Sequence, residues 1–331
     1  MAATADTSET VWRLLVAFRS SRAIGAAVEL DIPKYLSRHP HTAAQLARDT
    51  GAHEPSLLRL LRTLVALELL SEDDSGRFAL TPSGEEMRAD RLGPLIRFLI
   101  HDLEWRSWGR LDYSIRTGKR AFDHVHGMRN WDYFSSHPEE AAIFDSAMHA
   151  LTEPVAVGVA REYNFTGIQT IADVGGGDGT MLITILRAHP HLRGILFDRP
   201  HVLKRAEAHT AELAERIEPV GGSFFESVPQ ADAYLMKSIL HDWEDDDAVA
   251  IIKRCREAGG AKLLVVERLL SEKIGPRDLG ALLSDLNMLV NPGGRERTVA
   301  EYSELFRRGG YSYTRTIGIT PQFHLLEAAA V

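Results

Sequence analysis

Cysteine is nearly absent. Cys255 is the only one in 331 residues, and a single thiol forms no internal disulfide and builds no metal site alone. Long apolar runs are missing too. No uncharged stretch approaches the roughly 18 residues that a membrane span needs. The opening Met1-Ala2-Ala3-Thr4-Ala5-Asp6 has neither the basic nor the apolar region of a signal peptide. Positive charge is in deficit, with 38 Lys plus Arg against 46 Asp plus Glu and a formal net charge of -8. Such a chain gains little from releasing phosphate counterions, which disfavours nucleic acid as a partner. These absences predict a soluble protein of a reducing compartment, the cytoplasm, with no membrane and no nucleic acid among its partners. What is present is ordinary globular material, 44% hydrophobic and 25% charged. The length predicts two domains, or one with an appendage.

The first hundred residues read as a helical unit. Val11, Leu14, Leu15, Phe18, Ile24, Ala27, Val28, Leu30, Ile32 and Leu36 recur at three- and four-residue steps, the mark of amphipathic helices. Trp12 and Phe18 are large for a free surface, so this face is either intradomain core or a dimer interface. Thr42 is placed to cap a helix over Ala43–Ala47 that Gly51 closes. Glu54-Pro55-Ser56 opens a second helix running Leu57 to Leu70. The turn Asp73–Gly76, the strand Phe78–Leu80 and a helix opening at Pro82 follow. That succession is a winged-helix pattern. Its would-be recognition helix is leucine-rich with only Arg59 and Arg62 basic, so it predicts burial, not a DNA groove.

Residues 94 to 165 read as helices holding many aromatic residues, among them Trp105, Trp108, Tyr113, Trp131, Tyr133, Phe134, Phe144 and Tyr163, with Met148 beside them. They are either core or the wall of a pocket for a flat apolar ligand. From Gln169 strands alternate with helices: Thr170–Val174, Arg193–Asp198, Ala233–Met236 and Ala261–Glu267 as strands, Met181–Leu186 as a helix. Two late runs, Tyr311–Ile319 and Gln322–Glu327, are placed to pair as a hairpin across Pro321. The pattern predicts an α/β fold with a doubly wound, Rossmann-like sheet.

The first of those strands runs into Gly175-Gly176-Gly177-Asp178-Gly179-Thr180. Glycines there let the backbone approach a cofactor closely. Asp198 ends the next strand about twenty residues on, where this fold sets a carboxylate under a ribose. Asp173 and Asp178 make the loop negative, which repels a pyrophosphate and suits a cofactor with a cationic end. S-adenosylmethionine has an ammonium, a sulfonium and no phosphate.

Ile171-Ala172-Asp173-Val174-Gly175-Gly176-Gly177-Asp178-Gly179 resembles motif I of the S-adenosylmethionine-dependent O-methyltransferases of the caffeate / acetylserotonin type. Further segments follow in that family's order. They are Phe197–Val202 on the ribose side, Gly221–Phe225 on the adenine side, and Met236-Lys237-Ser238-Ile239-Leu240-His241-Asp242-Trp243. Val266-Glu267 and Asn291–Thr298 complete the series. The resemblance covers essentially the whole chain. It implies a methyltransferase sheet over residues 101–331, of which 101–165 form a helical substrate lid. It implies a winged-helix-like dimerisation domain over 1–100, and hence a homodimer. Carried over residue by residue, it implies Gly175 and Gly177 at the methionine end of S-adenosylmethionine and Asp198 on the ribose. Ser223 and Phe224 flank the adenine, with Lys237 near it. Ser223 stands where the family commonly has aspartate. An acceptor site is expected from Trp131, Phe144, Met148, Asn287, Met288 and Asn291, although Asn287 is often methionine in plant members.

Methyl transfer to a phenol lacks only a good nucleophile, since phenols titrate near 10. A histidine beyond a strand end is the usual base, which points to His241. Glu267 and Glu296 are candidate carboxylate partners for its far nitrogen. Asp242 either assists the base or caps a helix through Trp243-Glu244. Glu296 is either catalytic or a salt-bridged helix start. No Cys/His metal spacing appears, so no metal is expected. The predicted activity is O-methylation of an aromatic small molecule in secondary metabolism, such as antibiotic biosynthesis, releasing S-adenosylhomocysteine. The alternatives are a family relative catalysing a hydroxylation or pericyclic step, and a ligand-sensing winged-helix DNA-binding protein.

Overall fold

The computed structural model describes residues 7–331, so the segment Met1–Asp6 lies outside the described residues. The chain divides into two compact units, one running to Trp105 and including Ser146–Ala150, the other Arg106–Asp145 with Leu151–Val331.

The first unit is built as its sequence implies. The helix Thr7–Glu29 gives way to Ile32–Leu36 at Asp31, whose φ of 52° breaks the helical run. Thr42 and Gln45 form a reciprocal capping box at the start of Ala43–Thr50, and Gly51 closes that helix in the left-handed region. The following helix, Glu54–Ala66, is shorter than predicted. It stops because Glu68 turns left-handed and Leu70 begins a strand. β1 (His41–Thr42), β2 (Leu70–Glu72) and β3 (Arg77–Leu80) make a small antiparallel sheet in the order β1-β3-β2. Leu57, Leu61 and Leu64 are buried with Leu46 and Phe78, so the leucine-rich helix spends its apolar face on core. The first helix divides: Ala27 and Val28 are buried in the same core, whereas Val11, Trp12, Leu14, Leu15 and Phe18 are all exposed, Trp12 at 60% and Phe18 at 52%, which overturns the intradomain-core alternative for Trp12 and Phe18.

The second unit holds a seven-stranded sheet in the order β6-β5-β4-β7-β8-β10-β9. Its strands are β4 (Thr170–Val174), β5 (Arg193–Asp198), β6 (Ile217–Gly221), β7 (Ala233–Lys237), β8 (Lys262–Glu267), β9 (Tyr311–Gly318) and β10 (His324–Ala330). The first five run parallel, and β9 and β10 close the far edge as the expected antiparallel hairpin. β6 escaped the sequence reading because Glu218 and Pro219 interrupt its apolar pattern; an edge strand tolerates both. The other parallel strands are buried on both faces and read as continuous apolar runs. Side chains alternate between two cores. Ile171, Leu235, Leu264 and Val266 pack with the helices Pro138–Glu162 and Thr180–Ala188. Ala172, Val174, Tyr234, Met236, Leu263 and Val265 pack with Asp245–Glu257 and Val299–Arg308. Among the described residues no helix is long and apolar enough to cross a membrane.

Leu182 shows how closely helix and sheet approach. A Cβ added at Gly194 would lie 2.8 Å from its Cδ1, so the strand keeps a glycine under a fully buried leucine. Truncation leaves a cavity there. Leu182→Ala is expected to cost about 2–5 kcal/mol, read as a lower urea midpoint at unchanged slope. A loss under about 1 kcal/mol would show that the site collapses freely.

Candidate active site

A parallel sheet delivers the ends of its strands to one edge, and here that edge gathers the residues singled out in the sequence. Gly175, Gly177 and Gly179 all adopt left-handed φ values, 72°, 59° and 83°, a conformation that side chains resist. The loop is tied to β5. The Gly175 N–H donates to Phe197 O at 2.8 Å, and the Gly177 N–H donates to Asp198 Oδ2 at 2.9 Å. Asp198 Oδ1 accepts from Arg199 N at 2.7 Å, and its carbonyl accepts from Gly222 N at 3.1 Å. Gly175, Gly177, Asp198 and the Ser223 segment are thus brought together. A Cβ at Gly177 would meet nothing within 4 Å, whereas one at Gly176 would strike the Asp173 carboxylate at 2.8 Å. Phe224 stands edge-on to Trp243 and Phe225, at 5.8 and 5.0 Å between ring centres.

The loop is acidic at depth. Asp173 is buried, and its Oδ2 has no hydrogen-bond partner. Burial, then repulsion from Asp198 and Asp178, pushes it up to about 7. An open glycine turn over three carboxylates and one orphan oxygen fits a cationic adenosine derivative and repels a phosphate, so the residues present fit S-adenosylmethionine.

Beyond β7, His241 sits in a short 3-10 turn, Leu240–Asp242, and is buried. Three carboxylates surround its ring. Nδ1 lies 3.0 Å from Glu296 Oε1 and 3.5 Å from Glu267 Oε2, and Nε2 lies 3.4 Å from Asp242 Oδ1. Burial alone would push the imidazole down. Glu267, Glu296 and Asp242 outweigh it and hold it up at about 10. Burial raises Asp242 to about 7 against the pull of His241. Glu267 is likewise raised by burial, while the His241 cation holds Glu296 below the usual range despite burial.

The backbone fixes this ring of charge. Glu267 Oε1 accepts the amides of Ile239, Leu240 and His241 at 3.1, 3.1 and 3.4 Å. Ser284 donates to Glu296 Oε1 at 2.6 Å. Arg297, fully buried, donates to the carbonyls of Leu240 and Trp243 and pairs with Asp245. Gly294 lies so close that an added Cβ would fall 2.0 Å from His241 O.

Two alternatives are corrected. Asp242 caps no helix, since Asp245–Glu257 begins after Glu244 and Asp242 faces the imidazole instead. Glu296 opens no helix either. Val299–Arg308 starts behind the Thr298–Glu301 capping box, leaving Glu296 buried against His241. Lys237 ends β7 on the face opposite Phe224. Strand alternation puts it on the Leu235 face, its Nζ 3.2 Å from Thr152 Oγ1 and 5.4 Å from the Phe323 ring centre, while Phe224 packs on the opposite core.

The expected acceptor residues fall in three groups. Trp131 and Phe144 form one aromatic cluster with Phe134, Phe144 stacked on Phe134 at 4.8 Å and edge-on to Trp131 at 5.8 Å. Asn287 and Met288 lie on the helix Leu279–Val290 with Asn291 at its end, one and two turns beyond Ser284. Met148 is half-buried and is counted with the first unit. Trp108 was read only as one of many aromatic residues, core or pocket wall, and Ser284 and Arg297 were not singled out. The Trp108 indole, a donor only, donates to Asn287 Oδ1 at 2.9 Å, and Asn291 Nδ2 donates to the same oxygen at 2.9 Å. The i+3 and i+7 spacing of Ser284 to Asn287 and Asn291 was a signal for the serine. Nothing in the sequence marks an arginine as buried. His241, Glu267 and Glu296 also offer ligand atoms within 4.8 Å of one another, near enough to share a cation.

A family model described as an O-methyltransferase domain matches residues 108–312, and one described as an O-methyltransferase dimerisation domain matches residues 12–88. O-demethylpuromycin-O-methyltransferase of Streptomyces alboniger is 39% identical over 98% of this chain and 89% of its own length. Mitomycin biosynthesis 6-O-methyltransferase of Streptomyces lavendulae is 38% identical over 96% of this chain and 92% of its own. Among solved structures, an O-methyltransferase from neocarzinostatin biosynthesis in complex with S-adenosylmethionine and 2-hydroxy-5-methyl naphthoic acid is 33% identical, with a TM-score of 0.77 over 94% of this chain and 96% of its own.

Removing one carboxylate must lower the imidazole's affinity for its proton. In a Glu296→Gln variant His241 is expected to titrate well below about 10, followed by NMR of ring-labelled histidine. An unmoved titration would show that Glu296 does not hold the imidazolium.

Proposed function

The chain belongs to the O-methyltransferase family, and on that footing we propose that it moves the methyl of S-adenosylmethionine onto a phenolic hydroxyl of an aromatic small molecule, with His241 taking the phenol's proton. The observation that carries this reading is the paired imidazole. Glu296 accepts a hydrogen bond from Nδ1 in this reading, at 3.0 Å, which leaves Nε2 as the nitrogen that exchanges a proton with the acceptor. Bound over the glycine loop, S-adenosylmethionine would supply a methyl on a positively charged sulfur with a neutral leaving group.

Gly175, Gly177, Asp198, Ser223 and Phe224 hold that group in this reading, while Trp131, Phe144, Asn287, Met288 and Asn291 receive the acceptor. An imidazole held near 10 matches a phenol that titrates near 10, so the proton passes between them almost without cost. Asp242 faces Nε2 and favours the charged imidazole once the proton has arrived. Burial of the trio excludes water, which strengthens these interactions. The charge balance closes without a metal. Trp108 acts on the acceptor side by fixing the Asn287 amide.

The wider reading divides the labour. Residues 1–100 dimerise through the exposed apolar helix face, and 101–331 carry catalysis with 101–165 as the lid. The acceptor class follows the names of the relatives, and a buried free cysteine suits the cytoplasm. Light scattering is expected to give twice the chain mass at micromolar concentration.

Incubation with labelled S-adenosylmethionine and a panel of phenols tests the chemistry. His241→Ala is expected to lose label transfer by roughly a hundredfold or more while still binding S-adenosylhomocysteine. Undiminished transfer would remove His241 from the base role. In the wild type the rate climbs with pH towards about 10 as the imidazolium loses its proton. Glu296→Gln moves that limb to lower pH and lowers the plateau. A limb that stays in place would contradict the pairing.

A further inference from the structure

The ring of charge around His241 leaves two oxygens unanswered. Glu267 and Glu296 are 0% and 1% exposed. Among the described residues, Glu267 Oε2 and Glu296 Oε2 have no hydrogen-bond partner, and a buried polar atom left unpaired is costly. Both carboxylates approach the same ring nitrogen. Nδ1 lies 3.0 Å from Glu296 Oε1 and 3.5 Å from Glu267 Oε2. One N–H cannot serve both glutamates well, because a hydrogen bond is directional and 3.5 Å exceeds its normal length. With Asp242, three carboxylates face a single imidazolium, so negative charge is in excess around the ring. Methyl transfer as read above gives neither orphan oxygen a task.

The spacing suits a metal ion. One ligand atom from each of His241, Glu267 and Glu296 lies within 4.8 Å of the other two. Zinc bonds to nitrogen and oxygen run about 2.0–2.2 Å, so tetrahedral ligand pairs stand roughly 3.4 Å apart. The 3.0 and 3.5 Å separations at Nδ1 bracket that value. Three protein ligands with an open fourth position are a common zinc arrangement. The supports are those of a metal site as well. A metal-bound imidazole commonly donates its other N–H to a carboxylate, and Asp242 Oδ1 stands 3.4 Å from Nε2. The two glutamates are steadied from outside the trio, Glu267 by the amides of Ile239 and Leu240 and Glu296 by Ser284.

We propose that His241, Glu267 and Glu296 form a site for zinc or a similar borderline divalent ion, and that the ion switches methyl transfer off. The second half rests on His241 being the base. The ion takes the place of the Nδ1 proton, which passes to solvent. The neutral ring then keeps its one remaining proton on Nε2, towards Asp242. Nε2 is the nitrogen that must accept the phenol's proton, so the metal-bound histidine is no longer a base. Magnesium prefers six oxygen ligands and dehydrates reluctantly, which makes it a poor occupant of a small site with an imidazole.

Equilibrium dialysis of untagged, chelator-treated protein against zinc is expected to show one tightly held ion per chain. Glu267→Gln and Glu296→Gln each weaken it on the order of a hundredfold, and Asp242→Asn, outside the ligand set, on the order of tenfold. A measurement on the wild type needs no glutamate variant to fold. Zinc must move the ring-nitrogen resonances of the histidine that His241→Ala lacks, leaving Nε2 protonated. In transfer of labelled methyl to a phenol, zinc lowers kcat on the order of a hundredfold or more, and a chelator restores it. Affinity for S-adenosylhomocysteine stays as it was, and magnesium at the same concentration has no effect. Zinc held by both glutamine variants at wild-type affinity, or bound without moving the His241 resonances, sits on surface histidines only and overturns the site. Zinc that moves those resonances while transfer continues undiminished overturns the switch and removes His241 from the base role, but leaves the metal site. A chain that methylates no phenol would overturn the functional reading, while dialysis and the resonances still decide whether the trio holds the ion.

Discussion

An imidazole enclosed by three carboxylates in a water-poor interior sets the terms for the rest of this catalytic unit. Burial works against every one of these charges, and the carboxylates repel one another; the imidazolium they enclose offsets that cost, as they offset its own. That balance demands accuracy of placement, and the surrounding structure is largely devoted to it. Glu267 spends one oxygen gathering three consecutive amides, which locks the turn that presents His241, and aims the other at the ring. Arg297 ties the same turn from the opposite side through the carbonyls of Leu240 and Trp243. Glu296 arrives on a different loop and is steadied by Ser284. Removing any of these supports leaves a buried charge without its partner, a costlier event than losing a contact.

The sheet makes the arrangement possible. Parallel strands send the glycine loop, Asp198, Lys237 and Glu267 to one edge, and alternation along each strand then sorts them between two faces. Lys237 and Glu267 end neighbouring strands, yet one belongs to the face of the long helix Pro138–Glu162 and the other to the catalytic turn. The acidic glycine loop follows β4, which lies between β5 and β7 in the strand order. The acidic glycine loop and the carboxylate-ringed imidazole are therefore presented at one edge of the sheet.

Much of this was legible in the residues. Glycine spacing, the acid ending β5 and apolar strand runs fixed the sheet, because each reports a local constraint on the backbone. Thr42 and Gly51 bounded their helix through capping chemistry that depends only on neighbours in the chain. What stayed hidden was three-dimensional. β6 went unread because an edge strand need not be apolar throughout. The ends of Glu54–Ala66 were missed because Leu67–Leu70 continue a leucine pattern after the backbone has turned. The roles of Asp242 and Glu296 were left open for want of any local signal for what a carboxylate faces. Trp108 and Asn287 meet across 179 positions, and Arg297 resembles any surface arginine until its burial is seen.

Gly294 gives this design an unexpected rigidity towards change. With the backbones of His241, Asp242 and Trp243 pressed against the space a side chain would need, even a methyl there must displace the catalytic turn. Randomising that codon gains nothing, since the three nearest atoms are all backbone and no side chain stands there to turn aside.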